Sequence, residues 1–523
     1  MSRGSSRRGF LQTVAASTGV LAVCGQHPGQ AQQHGSDRLG GLDGYVERSM
    51  AHWEVPGLAI AVVQNGKLIH ARGYGVRALG AGARVDAETV FSIASCTKAF
   101  TAAAIAKLVD DAKLQWDDPI AKHLPAFRLS DPDLTSRITI RHALTHRTGL
   151  PTANMLWRNG AFDGDGILAR FRWLKPVAAP GERFLYNNNM YLVLGQLVKQ
   201  VTGRKWNDFL RNELFEPLGM KSTAADSSGV RGFENVAAPH ASDDGKVQHV
   251  LPYCPDVIAP AGAIHSNVLD IAQWLTMHLE GGRSDGRQVL SNARIEEMHT
   301  APRRAEREAP AEPNVPRAPM SNYGLGWFFN DHGGRRVIEH SGVQTGFVSW
   351  VAMMPEERLG LVVLANHHQT GLNSALRSWI FDACLGRPQR DWSEVVRADY
   401  TNGYQRLLRE AKAQFDAKRP QATRPSMPLS EYAGVYESKL YGPLRIKAAD
   451  DRLSLQFGTR FEGELKNWQN DTFRATFPNP RLDDWLVTFS VKERAVAAMQ
   501  VKESPWAPAW YDDADDLGEF HRR

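Results

Sequence analysis

Apolar residues in the first 390 positions follow two patterns, and the alternation between them outlines the fold. Leu58-Ala59-Ile60-Ala61-Val62-Val63 is an unbroken apolar run, and Lys67-Leu68-Ile69-His70-Ala71 follows it across Asn65-Gly66. Two strand-length runs joined by Asn-Gly predict a β-hairpin with a type I′ turn. Past residue 98 the rule changes: Phe100, Ala104 and Leu108 recur four apart in an Ala-rich stretch, the signature of a buried helix. Helical spacing returns in Leu192, Leu194, Leu197, Val198 and Val201, and again from Asn267 through Ile271, Trp274 and Leu275. Strand-like runs then reappear at 323–329, 337–340, 347–354 and 359–364, with a turn at 331–334 and a helix near 372–384. Strands at both ends with helices between them predict an α+β fold. One antiparallel sheet is assembled from the two ends and flanked by an inserted helical region.

Beyond residue 390 the pattern changes twice. Residues 392–418 read as a charged helix, and a Pro-containing linker runs from Arg419 to Pro428. From Leu429 to the end, short alternating segments at 432–436, 444–447, 453–457, 472–477 and 485–489 predict a small all-β barrel or sandwich. The expected organisation is therefore a main domain over 32–390, a helix and linker over 391–428, and a barrel over 429–523.

The N-terminus supplies an address. Ser6-Arg7-Arg8-Gly9-Phe10-Leu11 precedes a mildly apolar run over 13–23, and Gly29-Gln30-Ala31 offers a small-x-small cleavage site. This resembles a twin-arginine export signal over 1–31, too short in its apolar part to span a bilayer. A periplasmic or secreted protein is expected. The formal charge of +5 falls to +2 without the three arginines of that segment, so charge gives no indication of nucleic acid. At 42% hydrophobic and 23% charged the chain is ordinary for a globular protein. Leaving Cys24 aside, Cys96, Cys254 and Cys384 are far apart and odd in number, which does not suggest a disulfide framework. Cys96 reads as a small buried thiol.

Three motifs carry candidate chemistry, and they stand in order. Ser95-Cys96-Thr97-Lys98 opens the first buried helix, so a hydroxyl and an amine share one helix face near the positive end of the helix dipole. An amine kept out of water there has a lowered pKa and can take the hydroxyl proton. Tyr186-Asn187-Asn188 sits just before the helix that contains Leu192, where a loop can aim both outer side chains inward. His340-Ser341-Gly342 ends a strand, with Gly342 allowing close backbone approach. Two decoys match less well: Tyr400-Thr401-Asn402 lies on the charged helix, and His332-Gly333-Gly334 in a turn. His142 and His146, four apart, could face a metal, but no Glu adjoins them and no third ligand is evident, so a structural role is expected. The glycines at 73, 75, 80 and 82 lack the spacing and following helix of a phosphate loop.

With these motifs in order, residues 40–385 resemble the serine β-lactamase and penicillin-binding-protein superfamily, in the branch of class C β-lactamases, D-alanyl-D-alanine carboxypeptidases, esterases and D-aminopeptidases. The resemblance extends to Ile138-Thr139-Ile140-Arg141-His142, Pro180-Gly181-Glu182, Ala261-Gly262 and Tyr323-Gly324-Leu325-Gly326-Trp327. It implies a serine hydrolase working through an acyl-enzyme, with no metal or organic cofactor, on a small molecule or short peptide. Ser95 would attack, Lys98 and Tyr186 would share the proton traffic, and the N–H groups of Ser95 and Val343 would hold the oxyanion. Asn188 would hydrogen-bond Lys98 and the substrate, and His340 would stand where most true β-lactamases of this type carry a lysine. A neutral histidine there favours esters, amides or D-amino-acid peptides over β-lactams. The alternatives are a D-stereospecific peptidase or carboxypeptidase, a weak class C-like β-lactamase and, from another class, an inactive peptide- or cell-wall-binding protein. The region from Leu429 is similar to the lipocalin-like barrel appended to some of these hydrolases.

Overall fold

The computed structural model describes residues 38–523 apart from 244, 252–255, 302–321, 401–402, 404–405, 420–422, 479–481, 483, 504–505 and 507–515. The twin-arginine segment and most of the Ala-, Pro- and Arg-rich stretch after residue 300 thus lie outside the described residues.

Both chain ends of the main domain build one sheet. The hairpin forms as expected, β1 (Gly57–Gln64) and β2 (Lys67–Gly75) meeting at Asn65 and Gly66, both with the positive φ of a type I′ turn. From the other end come β3 (Phe328–Asp331), β4 (Arg336–Gln344), β5 (Phe347–Met354) and β6 (Leu359–Ala365). The sheet order is β2-β1-β6-β5-β4-β3 with every pair antiparallel. Helices cover both faces, and β1 shows why its sequence is unbroken in apolarity. Leu58, Ile60 and Val62 enter one core with α1 (Leu42–Trp53), while Ala59, Ala61 and Val63 enter the other with α2 (Thr97–Asp110). The inserted region supplies α3 (Asn188–Thr202) and α4 (Val268–Leu279), and α5 (Leu372–Cys384) closes the domain.

One expected element differs. The run at 323–329 is strand only from Phe328, because Gly326 turns the chain at φ +82°, with Tyr323 bridging back to Phe328. The charged segment at 392–418 is helical over α6 (Trp392–Asp399) and α7 (Arg406–Ala417), with 401–402 and 404–405 outside the described residues. Both decoys are occupied elsewhere. Tyr400 packs on Trp53, and His332 pairs with Asp382 at 2.8 Å.

The C-terminal strands form a closed eight-stranded antiparallel barrel, β7 (Gly434–Ser438), β8 (Gly442–Ala449), β9 (Arg452–Phe457), β10 (Phe461–Gln469), β11 (Thr472–Thr476), β12 (Trp485–Lys492), β13 (Ala495–Glu503) and β14 (Asp516–Arg522), with β7 paired to β14. Its inward residues, among them Leu444, Phe457 and Trp485, are fully buried. Among the described residues no helix is long and apolar enough to cross a membrane.

Candidate active site

Ser95 stands in a 3₁₀ turn, Ala94–Cys96, immediately ahead of α2 rather than inside its first helical turn. The turn is anchored from both sides. Ile93 N donates to Ile264 O (2.9 Å), and Ala94 N donates to Ser92 Oγ (3.3 Å). Ala94 itself is left-handed at φ +45°, a conformation that costs a non-glycine residue about 1–2 kcal/mol and persists only where neighbours enforce it. One turn on, Lys98 is fully buried. Its Nζ donates to Ala261 O (2.8 Å) and lies 3.0 Å from Ser95 Oγ. The faces of Tyr186 and Tyr191 sit 4.7 and 5.4 Å away. No carboxylate is among its hydrogen-bond partners, so burial pushes the amine well below the usual lysine range. A neutral amine beside a serine hydroxyl is a base beside its nucleophile.

Tyr186 is held by a residue that sequence reasoning left with a generic structural role. The backbone carbonyl of His146 accepts from Leu185 N (2.8 Å), and its ring Nδ1 accepts from Asn187 N (3.0 Å). The two bonds clamp the chain on either side of Tyr186, and the two rings lie 4.2 Å apart. Because Nδ1 accepts, the neutral ring carries its proton on Nε2. Burial holds its pKa well below the usual histidine range. His146 is thus a positioning residue. His142 instead closes a capping box with Thr139. Nothing local could reveal the clamp, since it joins residues some forty positions apart. Asn188 proves to be the first residue of α3, capped by the Asn187 side chain. It lines the cleft beside Ser95 and is not a hydrogen-bond partner of Lys98.

The strand motif divides in two. His340 is buried behind the cleft, with Nδ1 2.6 Å from Ser341 O and Nε2 3.1 Å from the Tyr323 hydroxyl. A carbonyl can only accept, so Nδ1 carries the proton and Tyr323 donates to Nε2. Burial lowers the His340 pKa to about 3. The ring is therefore neutral, with both nitrogens engaged internally. Tyr323 holds it there, and the functional signal for Tyr323 lay in the Tyr-Gly-Leu-Gly run. A Cβ on Gly326 would come within 3.0 Å of Ala99 Cα and Lys98 O, so this run packs directly on α2. Gly342 abuts the nucleophile turn: an added Cβ would lie 2.2 Å from Ile93 O and 2.9 Å from Ser95 N. Val343 is 60% exposed and faces the cleft. Cys96 is the buried thiol expected, donating to His340 O (3.1 Å) and pushed up to about 12 by burial.

The cleft has a volume of about 760 Å³, within the range of small-molecule sites. Ser95, Asn188, Gly262 and Val343 belong to its main-domain side, and Arg460, Phe461 and Leu482 of the barrel form another wall. The barrel is fastened there by Arg158, whose Nη1 reaches both oxygens of buried Glu503 (2.9 and 3.2 Å), and by Thr459 N donating to Asn159 O (2.9 Å). Among the described residues no group of three or more His, Cys, Asp or Glu side chains is arranged to hold a metal.

Comparison with known proteins identifies the family. A beta-lactamase family model matches residues 42–384, and a domain of unknown function (DUF3471) matches residues 418–516. The chain is 31% identical over 481 residues to the unguisins hydrolase ungD of Aspergillus violaceofuscus, covering 83% of each protein. It is 26% identical over 340 residues to protein flp of Staphylococcus aureus, covering 62% of each. The octameric penicillin-binding protein homologue from Pyrococcus abyssi superposes with a TM-score of 0.60 at 25% identity, over 88% of this chain and 98% of that one. The D-amino acid amidase from Ochrobactrum anthropi SV3 shares the fold, with a TM-score of 0.55 at 22% identity over 67% of this chain and 98% of that one. A family match across the whole sheet-and-helix domain, around a serine and a buried lysine amine 3.0 Å apart, means that this chain belongs to the beta-lactamase family and is a serine hydrolase.

Proposed function

We propose that this enzyme hydrolyses esters, amides or D-amino-acid-containing peptides through an acyl-enzyme on Ser95. Ser95 Oγ bonds to the acyl carbon while its proton passes to the Lys98–Tyr186 pair. The same pair then protonates the departing alcohol or amine, and water releases the acid by the reverse sequence. The backbone N–H groups of Ser95 and Val343 hold the oxyanion, and Asn188 orients the substrate. The observation that carries this reading is the Lys98 amine, fully buried 3.0 Å from Ser95 Oγ with no carboxylate to hold its proton. The unguisins hydrolase and the D-amino acid amidase among the similar proteins support peptide and amide substrates. A His340 that is neutral and turned inward supplies no cation for a lactam carboxylate beside Gly342, which favours esters and amides over β-lactams. The twin-arginine pattern supports export to the periplasm, and eight antiparallel strands in a closed barrel support the lipocalin-like reading of the C-terminus.

Intact mass after exposure to a fluorophosphonate, a penicillin and a short-chain p-nitrophenyl ester tests the proposal. One adduct mapped to Ser95 and absent from Ser95→Ala is expected, with turnover of the ester. Folded protein that forms no adduct with any reagent would instead support a binding protein.

A further inference from the structure

The far end of β4 carries a polar side chain whose orientation is fixed from inside the fold. Gln344 is the last residue of the strand, half-buried, and lines the cleft with Ser95. Strand side chains alternate in face and the pairing with β5 is unbroken, so Gln344 shares with Gly342 the face toward the nucleophile turn. Ser92 Oγ lies 2.7 Å from Gln344 Oε1 and accepts from Ala94 N (3.3 Å). Ser92 is only 1% exposed, and a buried hydroxyl left without an acceptor is costly. The Ala94 N–H can only donate, so the hydroxyl proton goes to Gln344. That fixes the amide with its oxygen inward and its N–H2 group on the cleft side. The backbone is held as well. Gly346 closes the β4–β5 turn at φ +83°, its N donates to His368 Nδ1 (3.0 Å), and an added Cβ would lie 2.1 Å from Pro239 Cβ. A neutral donor is thus preset beyond the nucleophile.

The direction of the strand relates that donor to the substrate. In the reaction proposed above, the Lys98–Tyr186 pair protonates the departing group. The Tyr186 ring lies 6.3 Å from that of Tyr323, whose hydroxyl is 3.1 Å from His340 Nε2. The departing group therefore leaves at the His340 end of the motif. The acyl chain leads the other way, toward Gln344, two residues and about 7 Å of extended strand beyond Gly342.

We propose that Gln344 is a specificity-determining residue for the acyl side of the substrate, selecting acyl groups that carry a second carbonyl. Its amide N–H2 donates to that carbonyl oxygen, a neutral acceptor of the kind found in amides and ketones. The inference rests on the serine-hydrolase reading for the direction of the acyl chain but makes a separate claim about binding.

Chain-matched p-nitrophenyl esters test it: the 4-oxopentanoate against the pentanoate, and the 7-oxooctanoate against the octanoate. The readout is KM of the plain ester divided by KM of its oxo twin, taken within each protein so that a general loss of activity cancels. Gln344→Glu still accepts from Ser92 but offers no N–H2. In one of the two pairs the ratio is expected to be about 3- to 10-fold higher in wild type than in Gln344→Glu, the range of one neutral hydrogen bond. Ser92→Ala keeps the N–H2 but releases its orientation, and its ratio should fall between the two; a wild-type ratio there would overturn the orientation by Ser92. Equilibrium binding of the four corresponding primary amides to Ser95→Ala and to Ser95→Ala/Gln344→Glu reads the same preference without chemistry. Equal KM ratios in wild type and Gln344→Glu for both pairs, or equal binding ratios in the two Ser95→Ala proteins, would overturn the proposal. Ester turnover surviving in Ser95→Ala would overturn the nucleophile alone, and the binding ratio would still decide for or against Gln344.

Discussion

Gly342→Ala should silence the enzyme without unfolding it, and the size of the effect follows from three distances. The added methyl would sit 2.2 Å from Ile93 O, 2.5 Å from Ser349 Oγ and 2.9 Å from Ser95 N. Real Cβ atoms do not come nearer than 3.0 Å to such neighbours, so β4 must withdraw from the Ala94–Cys96 turn by at least about 0.8 Å. Neither side can rotate away, because two of the three atoms are backbone and Ser349 Oγ is bonded to Ile93 O (2.7 Å). Overpacking of this kind costs about 1–3 kcal/mol of stability. The catalytic effect is larger. The displaced strand carries Val343, and a misplacement near 1 Å costs about 100-fold in rate. Gly262→Ala is the control: its methyl meets only Ala94 C and O, at 3.7 and 3.9 Å, an ordinary contact. Kinetics with p-nitrophenyl acetate and thermal melts of both variants provide the assay. Gly342→Ala should lose about two orders of magnitude in kcat/KM with a melting temperature lowered by only a few degrees, and Gly262→Ala should hold both near wild type. Wild-type kinetics in Gly342→Ala would refute the close approach of β4 to the nucleophile.

Other expectations follow from individual groups. Ser95→Ala should abolish turnover and leave the melting temperature nearly unchanged, since Ser95 is half-buried and stabilises little; activity at wild-type level would sink the mechanism. Because burial lowers the Lys98 pKa, it favours the free amine, which is lost as acid protonates it. kcat/KM should therefore fall on the acid side, and a flat profile from about pH 5 to 9 would argue against a titrating base. Stability should follow pH in the same direction for a different reason. His340, its pKa lowered to about 3, stays neutral in the fold while the unfolded chain takes up a proton, so stability declines as pH drops from 6.5 toward 3. Melts across that window should show a shallower slope for His340→Gln than for wild type. Arg158→Ala removes a cation from Glu503, 2% exposed, and should lower stability in chemical denaturation, a loss that Glu503→Gln in the same chain should partly restore.

What the sequence made legible was what is local. The β1 run announces a strand covered on both faces because its alternate residues fill two cores, and Ser95 and Lys98 announce a site because one helical turn joins them. That the His340 ring turns inward was not legible, for a physical reason. A residue type does not say which face of a strand it occupies, and here Tyr323, seventeen positions earlier, draws the ring inward. His146 escaped for the same reason, since its clamp acts on Leu185 and Asn187.

The strand behind the cleft's barrel wall was the hardest to see. β10 reads Phe461-Glu462-Gly463-Glu464-Leu465-Lys466-Asn467-Trp468-Gln469, where a glycine takes an inward position and the register shifts between Asn467 and Gln469. The inward set is therefore Phe461, Gly463, Leu465 and Trp468, which is neither strict alternation nor helical spacing. A closed barrel tolerates this because neighbouring strands fix the register that sequence alone does not. The consequence for function is a separation of tasks. Ser95, Lys98 and Tyr186 are fixed by the buried packing of α2, α3 and the sheet, where small changes cost folding. The barrel wall of the cleft, by contrast, stands on the β9–β10 turn, whose backbone is held by Thr459 N donating to Asn159 O (2.9 Å). That wall comes from a domain other than the one that holds Ser95, Lys98 and Tyr186, so it can vary while the packing around the nucleophile stays in place.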